Sequence, residues 1–418
     1  MKIEVGFGKG VQTCEFPDEN YAGIVLPNEV EHRTDEQGIL QDALQNPIGA
    51  RPLAEYDLSG KKIAILTSDE TRPMPTYKVM PVLLDTLYAA GADPSNIRLV
   101  FACGSHRSLS DEEKQRLAGE RAWKEVVCED STEYDFVHVG DTAHGTPVDI
   151  AEHVLHADFR IALGNIEYHY FAGYSGGAKA LFPGCSTYEA IQVNHAMMVQ
   201  EDAHAGKLIG NPLRADLEEG AAMVGIDYLL NVVLDEHKNI IYAVAGDWLE
   251  AHRNGCAFLD KFYWIELHEK ADIVITSQGG APKDLNLYQT QKALDNAKHV
   301  VKDGGIIILV GACSEGIGNK KFEAWMADAT CPHDLVERVQ TSFELGGHKA
   351  AAIGMVMEKA DVYLVSTMDK ELVESMFFTG FHELQQAVDA AIETRRDHAK
   401  ILVMPYGGST LPIVKERN

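Results

Sequence analysis

Short apolar runs alternate with longer amphipathic stretches along the first half of the chain. Residues 63–67 form an apolar run of strand length, residues 77–90 have helical spacing, and a second run follows at 96–101. Continuous apolar runs of this kind are typical of strands that are buried on both faces of a parallel sheet. Two further runs, 136–139 and 159–163, extend the series. The pattern predicts an α/β fold with a doubly wound sheet.

A second series of the same kind occupies the C-terminal part of the chain. Segments 228–234 and 240–244 predict an antiparallel hairpin, and 248–267 predicts a long helix that connects two domains. The later series has four strand-like runs, at 273–275, 306–310, 362–365 and 401–404, separated by helical stretches that include 288–300. Because 418 residues exceed one ordinary core, we predict two α/β domains, 1–265 and 266–418, with an active-site cleft between them.

Charge and cysteine usage narrow the class of protein. Lys and Arg number 37 against 63 Asp and Glu, and the net charge of −26 opposes binding to nucleic acid or to anionic membranes. The seven cysteines are scattered without C-x-x-C spacing, which indicates reduced thiols rather than a zinc ribbon or a disulfide framework. Neither a signal peptide nor an apolar run of transmembrane length is evident. We therefore predict a cytoplasmic protein with no nucleic-acid or membrane partner.

Polar side chains follow three of the predicted strands. Asp69 and Arg72 come after the first strand, His106 after the second, and the segment 167–179 after the run at 159–163. In open α/β sheets, ligands bind beyond the carboxyl ends of the strands, so these side chains should converge on one side of the sheet. The run that begins at Ser110 predicts a helix N-cap followed by first-turn carboxylates.

The segment 167–179 combines residue types that packing alone would seldom require so close together. It contains His169, Phe171, a Ser-Gly-Gly turn and Lys179, and His195 follows it. Glycines let backbone amides approach a phosphate or a ring, a lysine can be a point charge or a nucleophile, and a histidine can be a base or a metal ligand. Each residue alone also has an ordinary packing role, but their joint placement favours an active site. The standard nucleotide-loop motifs are absent.

The second domain offers one polar cluster near a predicted helix start. Tyr288 and Gln289 lie there, and Lys292 is one turn after Tyr288 on the same helix face. A helix start with a lysine in its second turn suits a carboxylate, although an ordinary exposed helix start explains the pattern equally well.

Five motifs together resemble the nickel-dependent lactate racemase family of 2-hydroxy-acid racemases and epimerases. The resemblance runs from Ile3 to the C-terminal region. In chain order the motifs are Asp69-x-x-Arg72-Pro73, Gly104-Ser105-His106-Arg107, His169-x-x-x-Gly173-x-Ser175-Gly176-Gly177-x-Lys179, Asn194-His195 and Tyr288-Gln289-x-x-Lys292. Five motifs in order are far more specific than any one of them.

The resemblance implies a covalently bound cofactor, the nickel pincer nucleotide, which is a pyridinium-3,5-bisthiocarboxylic acid mononucleotide that carries nickel. It implies that Lys179 is the attachment point and that His195 is the protein ligand to nickel. It further implies that the nucleotide is bound by Asp69, Phe171, Ser175, Gly176 and Gly177.

The resemblance also implies an activity, the inversion of C2 of lactate or another short 2-hydroxy acid. His106 and His169 are the implied acid/base residues, and the implied substrate ligands are Arg72, Tyr288, Gln289 and Lys292. The α-proton of such an acid is too weakly acidic for a histidine to remove, so reversible hydride transfer through a 2-keto acid is the expected route. Cofactor-biosynthesis proteins are the expected partners for loading.

Three other functions are open to the same residues. A zinc-dependent hydrolase could use His106, His169 and His195 as metal ligands. A pyridoxal-phosphate enzyme could use Lys179 as its Schiff base. A binding protein that stores a nucleotide or a metal could use the site without turnover.

Overall fold

The structure is a computed structural model that describes residues 1–235, 237–395 and 398–415. The strands are β1 (Lys2–Phe7), β2 (Gly10–Glu15), β3 (Tyr21–Ile24), β4 (Ile63–Ser68), β5 (Ile97–Ala102), β6 (Val127–Asp130), β7 (Phe136–Asp141), β8 (Pro147–Ala151), β9 (Phe159–Asn165), β10 (Tyr168–His169), β11 (Gly173–Tyr174), β12 (Tyr228–Leu234), β13 (Ile240–Gly246), β14 (Trp264–Leu267), β15 (Ala271–Ser277), β16 (Val301–Val310), β17 (Ala360–Val365), β18 (Thr379–Phe381), β19 (Ile401–Met404) and β20 (Leu411–Val414). The α-helices are α1 (Glu36–Gln45), α2 (Thr76–Ala89), α3 (Asp111–Glu125), α4 (Glu152–Leu155), α5 (Tyr188–Ala196), α6 (Pro212–Val224), α7 (Glu250–Tyr263), α8 (Leu287–Thr290), α9 (Lys292–Ala297), α10 (Lys320–Asp328), α11 (Pro332–Thr341), α12 (Gly347–Met357), α13 (Lys370–Ser375) and α14 (Leu384–Arg395).

The chain forms two compact units, and each has its own parallel sheet. The central unit is Val30–Asp260, and the terminal unit is Met1–Glu29 together with the chain from Lys261 onward. The predicted α/β class is confirmed. The division differs from the predicted boundary at 265, because β3 pairs in parallel with β19 and the hydroxyl of Ser277 donates to the carbonyl oxygen of Gly6 at 2.7 Å. These contacts place residues 1–29 with the C-terminal segment.

The central sheet has the strand order β13-β12-β9-β4-β5-β6. Its strands are parallel except for the β12–β13 pair, which is the predicted antiparallel hairpin. Ile65, Leu99 and Ile161 are completely buried in its core. The predicted run at 136–139 forms β7, but β7 pairs with β8 in a separate two-stranded sheet instead of extending this one. Since β9, β4 and β5 are neighbours, their carboxyl ends share one edge.

The terminal sheet is entirely parallel, in the order β18-β17-β16-β15-β19-β3. The four strands predicted after residue 266 are β15, β16, β17 and β19, which occupy its centre. Ile275, Ile308 and Val403 are completely buried, as continuous apolar runs in a two-sided sheet require.

Two predicted helices have different bounds in the structure. The connection predicted at 248–267 is a helix only over α7, since Asp247 caps its start by accepting the backbone N–H of Glu250 at 2.9 Å. Its last predicted turn is instead strand β14, which pairs in parallel with β20. The helix predicted at 288–300 is divided at Gln291 into α8 and α9.

Among the residues that the structure describes, no helix has both the length and the apolar character needed to cross a bilayer. The cytoplasmic location stays a prediction.

The predicted N-cap at Ser110 is a complete capping box. Its hydroxyl accepts the N–H of Glu113 at 3.3 Å, and the Glu113 carboxylate accepts the N–H of Ser110 at 2.9 Å. Ser110→Ala removes the first of these bonds, so we expect the free energy of unfolding to fall by about 1 kcal/mol in chemical denaturation. Ser108→Ala is the control, because the Ser108 hydroxyl contacts the hydroxyl of Thr132 and not a helix amide. Equal losses in the two variants would contradict this role of the cap.

Candidate active site

The central unit brings together most of the side chains singled out in the sequence. Asp69 and Arg72 follow β4, His106 follows β5, and the segment that reaches Lys179 follows β9. His195 lies near the end of α5. The three remaining candidates belong to the terminal unit and are Tyr288, Gln289 and Lys292.

His106 is paired with a buried carboxylate. Its Nδ1 lies 2.5 Å from Oδ2 of Asp69, which is only 4% exposed. Burial acts to raise the pKa of Asp69, but the hydrogen bond and charge of His106 and two bonds from Thr71 outweigh it, so this pKa lies below its usual value. An ionised carboxylate only accepts, and Nδ1 of His106 is therefore the protonated nitrogen. Its Nε2 carries the lone pair and can act as a base.

His169 is held in the opposite tautomer. The backbone N–H of Ala172 donates to its Nδ1 at 3.2 Å, so a neutral His169 ring carries its proton on Nε2. Burial, and then the charges of Lys179 and Arg72, lower the pKa of His169 well below the usual value. His169 is thus neutral near pH 7 and offers an N–H donor. The two histidines, which the sequence treats as equivalent, differ in which nitrogen is protonated.

Lys179 has the properties of a nucleophile. Burial lowers its pKa far below that of an ordinary lysine, and the cations Arg214 and Arg72 lower it further, while Glu167 acts in the other direction. Its Nζ lies 6.0 Å from the centre of the Phe171 ring. A lowered pKa increases the share of the neutral amine, which is the form of a lysine that attacks an electrophile.

Phe171 links Lys179 to both of the neighbouring histidines. Its ring is 2% exposed and lies 4.8 Å from the ring of His195 and 4.5 Å from that of His169, measured between centroids. An amine nucleophile, a flat apolar surface and an imidazole therefore lie side by side. This set of groups fits a planar aromatic cofactor that is tethered at Lys179 and carries a metal that favours imidazole nitrogen.

The glycine turn before Lys179 is required by the protein's own packing. Gly176 and Gly177 have φ angles of 72° and 63°. A Cβ on Gly176 would lie 2.5 Å from Oδ1 of Asn231, and one on Gly177 would lie 2.9 Å from the ring of the buried His252. The N–H of Gly177 donates to Oδ1 of Asn231 at 2.8 Å. A nucleotide-binding role for these glycines stays a prediction.

Side-chain hydrogen bonds hold the backbone between β10 and the glycine turn in place. The Ser175 hydroxyl donates to the carbonyl oxygen of Asn165 at 2.6 Å, so its proton is already in use. The guanidinium of Arg214, on α6, donates to the carbonyl oxygens of Ala172, at 3.0 Å, and of Tyr174. Arg214 is completely buried and was not among the sequence candidates.

In the terminal unit, Tyr288 is held by a second lysine. The Nζ of Lys349 lies 3.7 Å from the centre of the Tyr288 ring and donates to the Tyr288 carbonyl oxygen at 3.1 Å. Gln289 is half-buried, and Lys292 is exposed as the first residue of α9. The roles of Tyr288, Gln289 and Lys292 in binding substrate stay predictions.

The three-histidine zinc site is not formed. Among the described residues, the set of three potential ligand atoms that lie within 4.8 Å of one another belongs to His144, Asp216 and Glu219. The zinc hydrolase therefore has no geometric support from His106, His169 and His195.

The depressed pKa of Lys179 is open to a direct test. Because the neutral amine reacts, we expect acylation of Lys179 by a small anhydride to reach its half-maximal rate at a pH well below that of exposed lysines. Peptide mapping over a pH series gives this midpoint, with Lys292 as the exposed reference. Arg72→Leu removes one neighbouring cation and should move the midpoint upward. A midpoint equal to that of Lys292 would rule out an activated amine.

Comparisons with known proteins agree along the whole chain. Residues 7–206 match the lactate racemase N-terminal domain, and residues 267–411 match the lactate racemase C-terminal domain. A lactate racemase from Thermoanaerobacterium thermosaccharolyticum is 31% identical over 427 residues, covering 99% of each chain. Another, from Lactiplantibacillus plantarum, is 32% identical over 419 residues, covering 97% of this chain and 98% of the relative.

Solved structures give the same result. The lactate racemase apoprotein from Thermoanaerobacterium thermosaccharolyticum superposes with a TM-score of 0.91 at 30% identity, covering 99% of this chain and 100% of that one. A protein from Thermotoga maritima, with a TM-score of 0.63 and 17% identity over 92% of this chain and 100% of that one, shows a shared fold alone. The chain thus belongs to the lactate racemase family, a family of isomerases.

Proposed function

We propose that the protein is a racemase that inverts C2 of lactate, or of another short 2-hydroxy acid, with a covalently held nickel pincer nucleotide. One observation carries the proposal: a lysine of depressed pKa, a buried aromatic ring and the imidazoles of His195 and His169 lie together. The relatives named lactate racemase support lactate as the substrate. One of these was solved as an apoprotein, which indicates that it takes a cofactor.

The residues that would hold the cofactor follow from their chemistry. Lys179 would form the covalent bond, His195 would supply nitrogen to nickel, and Phe171 would pack against the pyridinium ring. Asp69 and the turn at Ser175, Gly176 and Gly177 are the further proposed nucleotide ligands. When bound, the cofactor supplies a hydride acceptor, which no amino-acid side chain provides.

His106 and His169 accept and return the proton of the substrate's C2 hydroxyl. His106 takes it at Nε2 from one enantiomer, and the buried carboxylate of Asp69 stabilises the imidazolium that forms. His169 presents an N–H to oxygen on the other face of the substrate. To act as the base for the opposite enantiomer, His169 must expose the lone pair of Nε2, and this change of tautomer breaks its bond from Ala172.

The substrate is an anion, and the site offers cations to bind it. Arg72 lies close enough to His169 and Lys179 to shift both of their pKa values. A guanidinium of this kind suits a carboxylate, which we propose that Arg72 binds. Tyr288, Gln289 and Lys292 are the further proposed substrate ligands.

Production together with cofactor-assembly proteins tests the function as a whole. We expect a mass increment mapped to Lys179, stoichiometric nickel, and interconversion of D- and L-lactate measured by chiral chromatography. Lys179→Arg keeps a long basic side chain but removes the nucleophilic amine, so it should give neither adduct nor turnover. Unmodified Lys179 with bound zinc, while a known lactate racemase loads normally in parallel, would refute the proposal. Turnover of a different short 2-hydroxy acid would correct the substrate alone.

Asp69→Asn distinguishes the two roles proposed for this residue, which are orientation of His106 and binding of the nucleotide. The N–H of Thr71 requires an acceptor, so the new amide turns its NH₂ towards His106 and forces the wrong tautomer on that ring. We expect turnover to fall by about 10²- to 10⁴-fold, with adduct and nickel retained.

The matched control for this change is Thr71→Val. It removes the hydroxyl that donates to Asp69 but leaves the bond between Asp69 and His106 in place, so turnover should change little. If Asp69→Asn instead loses the cofactor, Asp69 acts through nucleotide binding rather than through His106.

A further inference from the structure

The imidazole of His195 has a specific partner on its own helix. Its Nδ1 lies 3.1 Å from Oδ1 of Asn194, and the Asn194 side chain is completely buried. A histidine that ligates a metal usually donates its other ring N–H to an acceptor, which fixes the tautomer and the ring orientation. Asn194 is placed to be that acceptor, provided that its amide points the right way.

The orientation of the Asn194 amide follows from its other contacts. Its Nδ2 donates to Oδ2 of Asp216 at 2.8 Å and to the carbonyl oxygen of Leu213 at 3.2 Å. A flipped amide would place oxygen against a carboxylate and a carbonyl, two groups that can only accept. Oδ1 of Asn194 must therefore face His195, and Nδ1 of His195 must be the donor. In the neutral ring, the lone pair then lies on Nε2.

Asp216, which accepts from the Asn194 amide, is itself held by further hydrogen bonds. Its carboxylate is completely buried, accepts the hydroxyl of Thr146 at 2.8 Å and also accepts the hydroxyl of Thr142. Together with Asn194, these donors satisfy a charge that would be costly to bury alone. Although His144 and Glu219 lie nearby, the Asp216 oxygens are already engaged, which favours an anchoring role over a cation site.

We propose that Asn194 and Asp216 are positioning residues that hold His195 in its Nδ1–H form and direct Nε2 to the metal. The identity of the metal rests on the function proposed above, whereas the tautomer is a property of the polypeptide alone. The identity of the metal and the tautomer of His195 can therefore be refuted independently.

The tautomer is measured first, on full-length wild-type protein produced without the cofactor-assembly proteins. Histidine labelled with ¹⁵N gives a long-range ¹H–¹⁵N spectrum that separates the protonated from the unprotonated ring nitrogen, and His195→Gln assigns the signal. We expect Nδ1 of His195 to be protonated. A proton on Nε2 would overturn the proposal without any variant having to fold.

Nickel retention is measured second, on protein loaded with cofactor. Asn194→Leu removes the acceptor, so we expect nickel to dissociate roughly 10- to 100-fold faster while the mass adduct on Lys179 persists. Val193→Ala, an exposed change on the same helix, is the matched control and should behave as the wild type. Unchanged retention in a folded Asn194→Leu would also overturn the proposal.

The tautomer measurement guards against a variant that fails to fold, because it is made on the wild-type protein and requires no substitution at Asn194 or Asp216. If His195 shows the expected tautomer but loaded wild-type protein holds no nickel, the proposed function fails and the positioning role stands.

Discussion

The candidate site depends on one buried charge, the guanidinium of Arg214. Placing an arginine where no water reaches it is costly unless its donors find acceptors, and those available are the carbonyl oxygens of Ala172 and Tyr174. Its third nitrogen lies 3.7 Å from Glu218. Burial lowers the pKa of Arg214 to about 10, so it stays charged near neutral pH. By holding both carbonyls it fixes the backbone that carries His169, and its charge also contributes to the depressed pKa of Lys179. One side chain thus couples the shape of the segment to its chemistry.

The local pattern of apolar residues is sufficient to predict the main strands of both sheets, because a parallel strand covered on both faces must be apolar along its whole length. The runs that became β4, β15 and β16 were predicted for this reason. Strand β14 was missed because its four residues, read alone, continue the helix before it, and only pairing with β20 distinguishes the two states. The place of residues 1–29 was missed for the same physical reason, since β3 finds its partner β19 at the other end of the chain. Pairing over such distances leaves no local signal.

The site was predictable as a set of residues and not as a set of contacts. Strand ends and motif order indicated His106, His169 and Lys179, but not that Asp69 bonds to a histidine 37 positions away. A signal for the anchors does exist on α6. Arg214 is three positions before the buried Leu217, and Asp216 is four before the buried Gly220, so both charges fall on the core-facing side of the helix. Charged residues at core positions indicate buried polar networks, and here both of them support the site.

A protein of net charge −26 that binds a small anion needs cations that act at short range. The acidic surface acts over distances at which salt screens it, with a Debye length of about 8 Å at physiological ionic strength. The cationic side chains of the candidate site act at contact distance and in a medium of lower effective dielectric, where each interaction is several times stronger. Burial and the charges of Arg214 and Arg72 lower the pKa of Lys179. The same positive charges attract a carboxylate, so the crowding of cations that depresses the pKa of Lys179 also favours an anionic substrate.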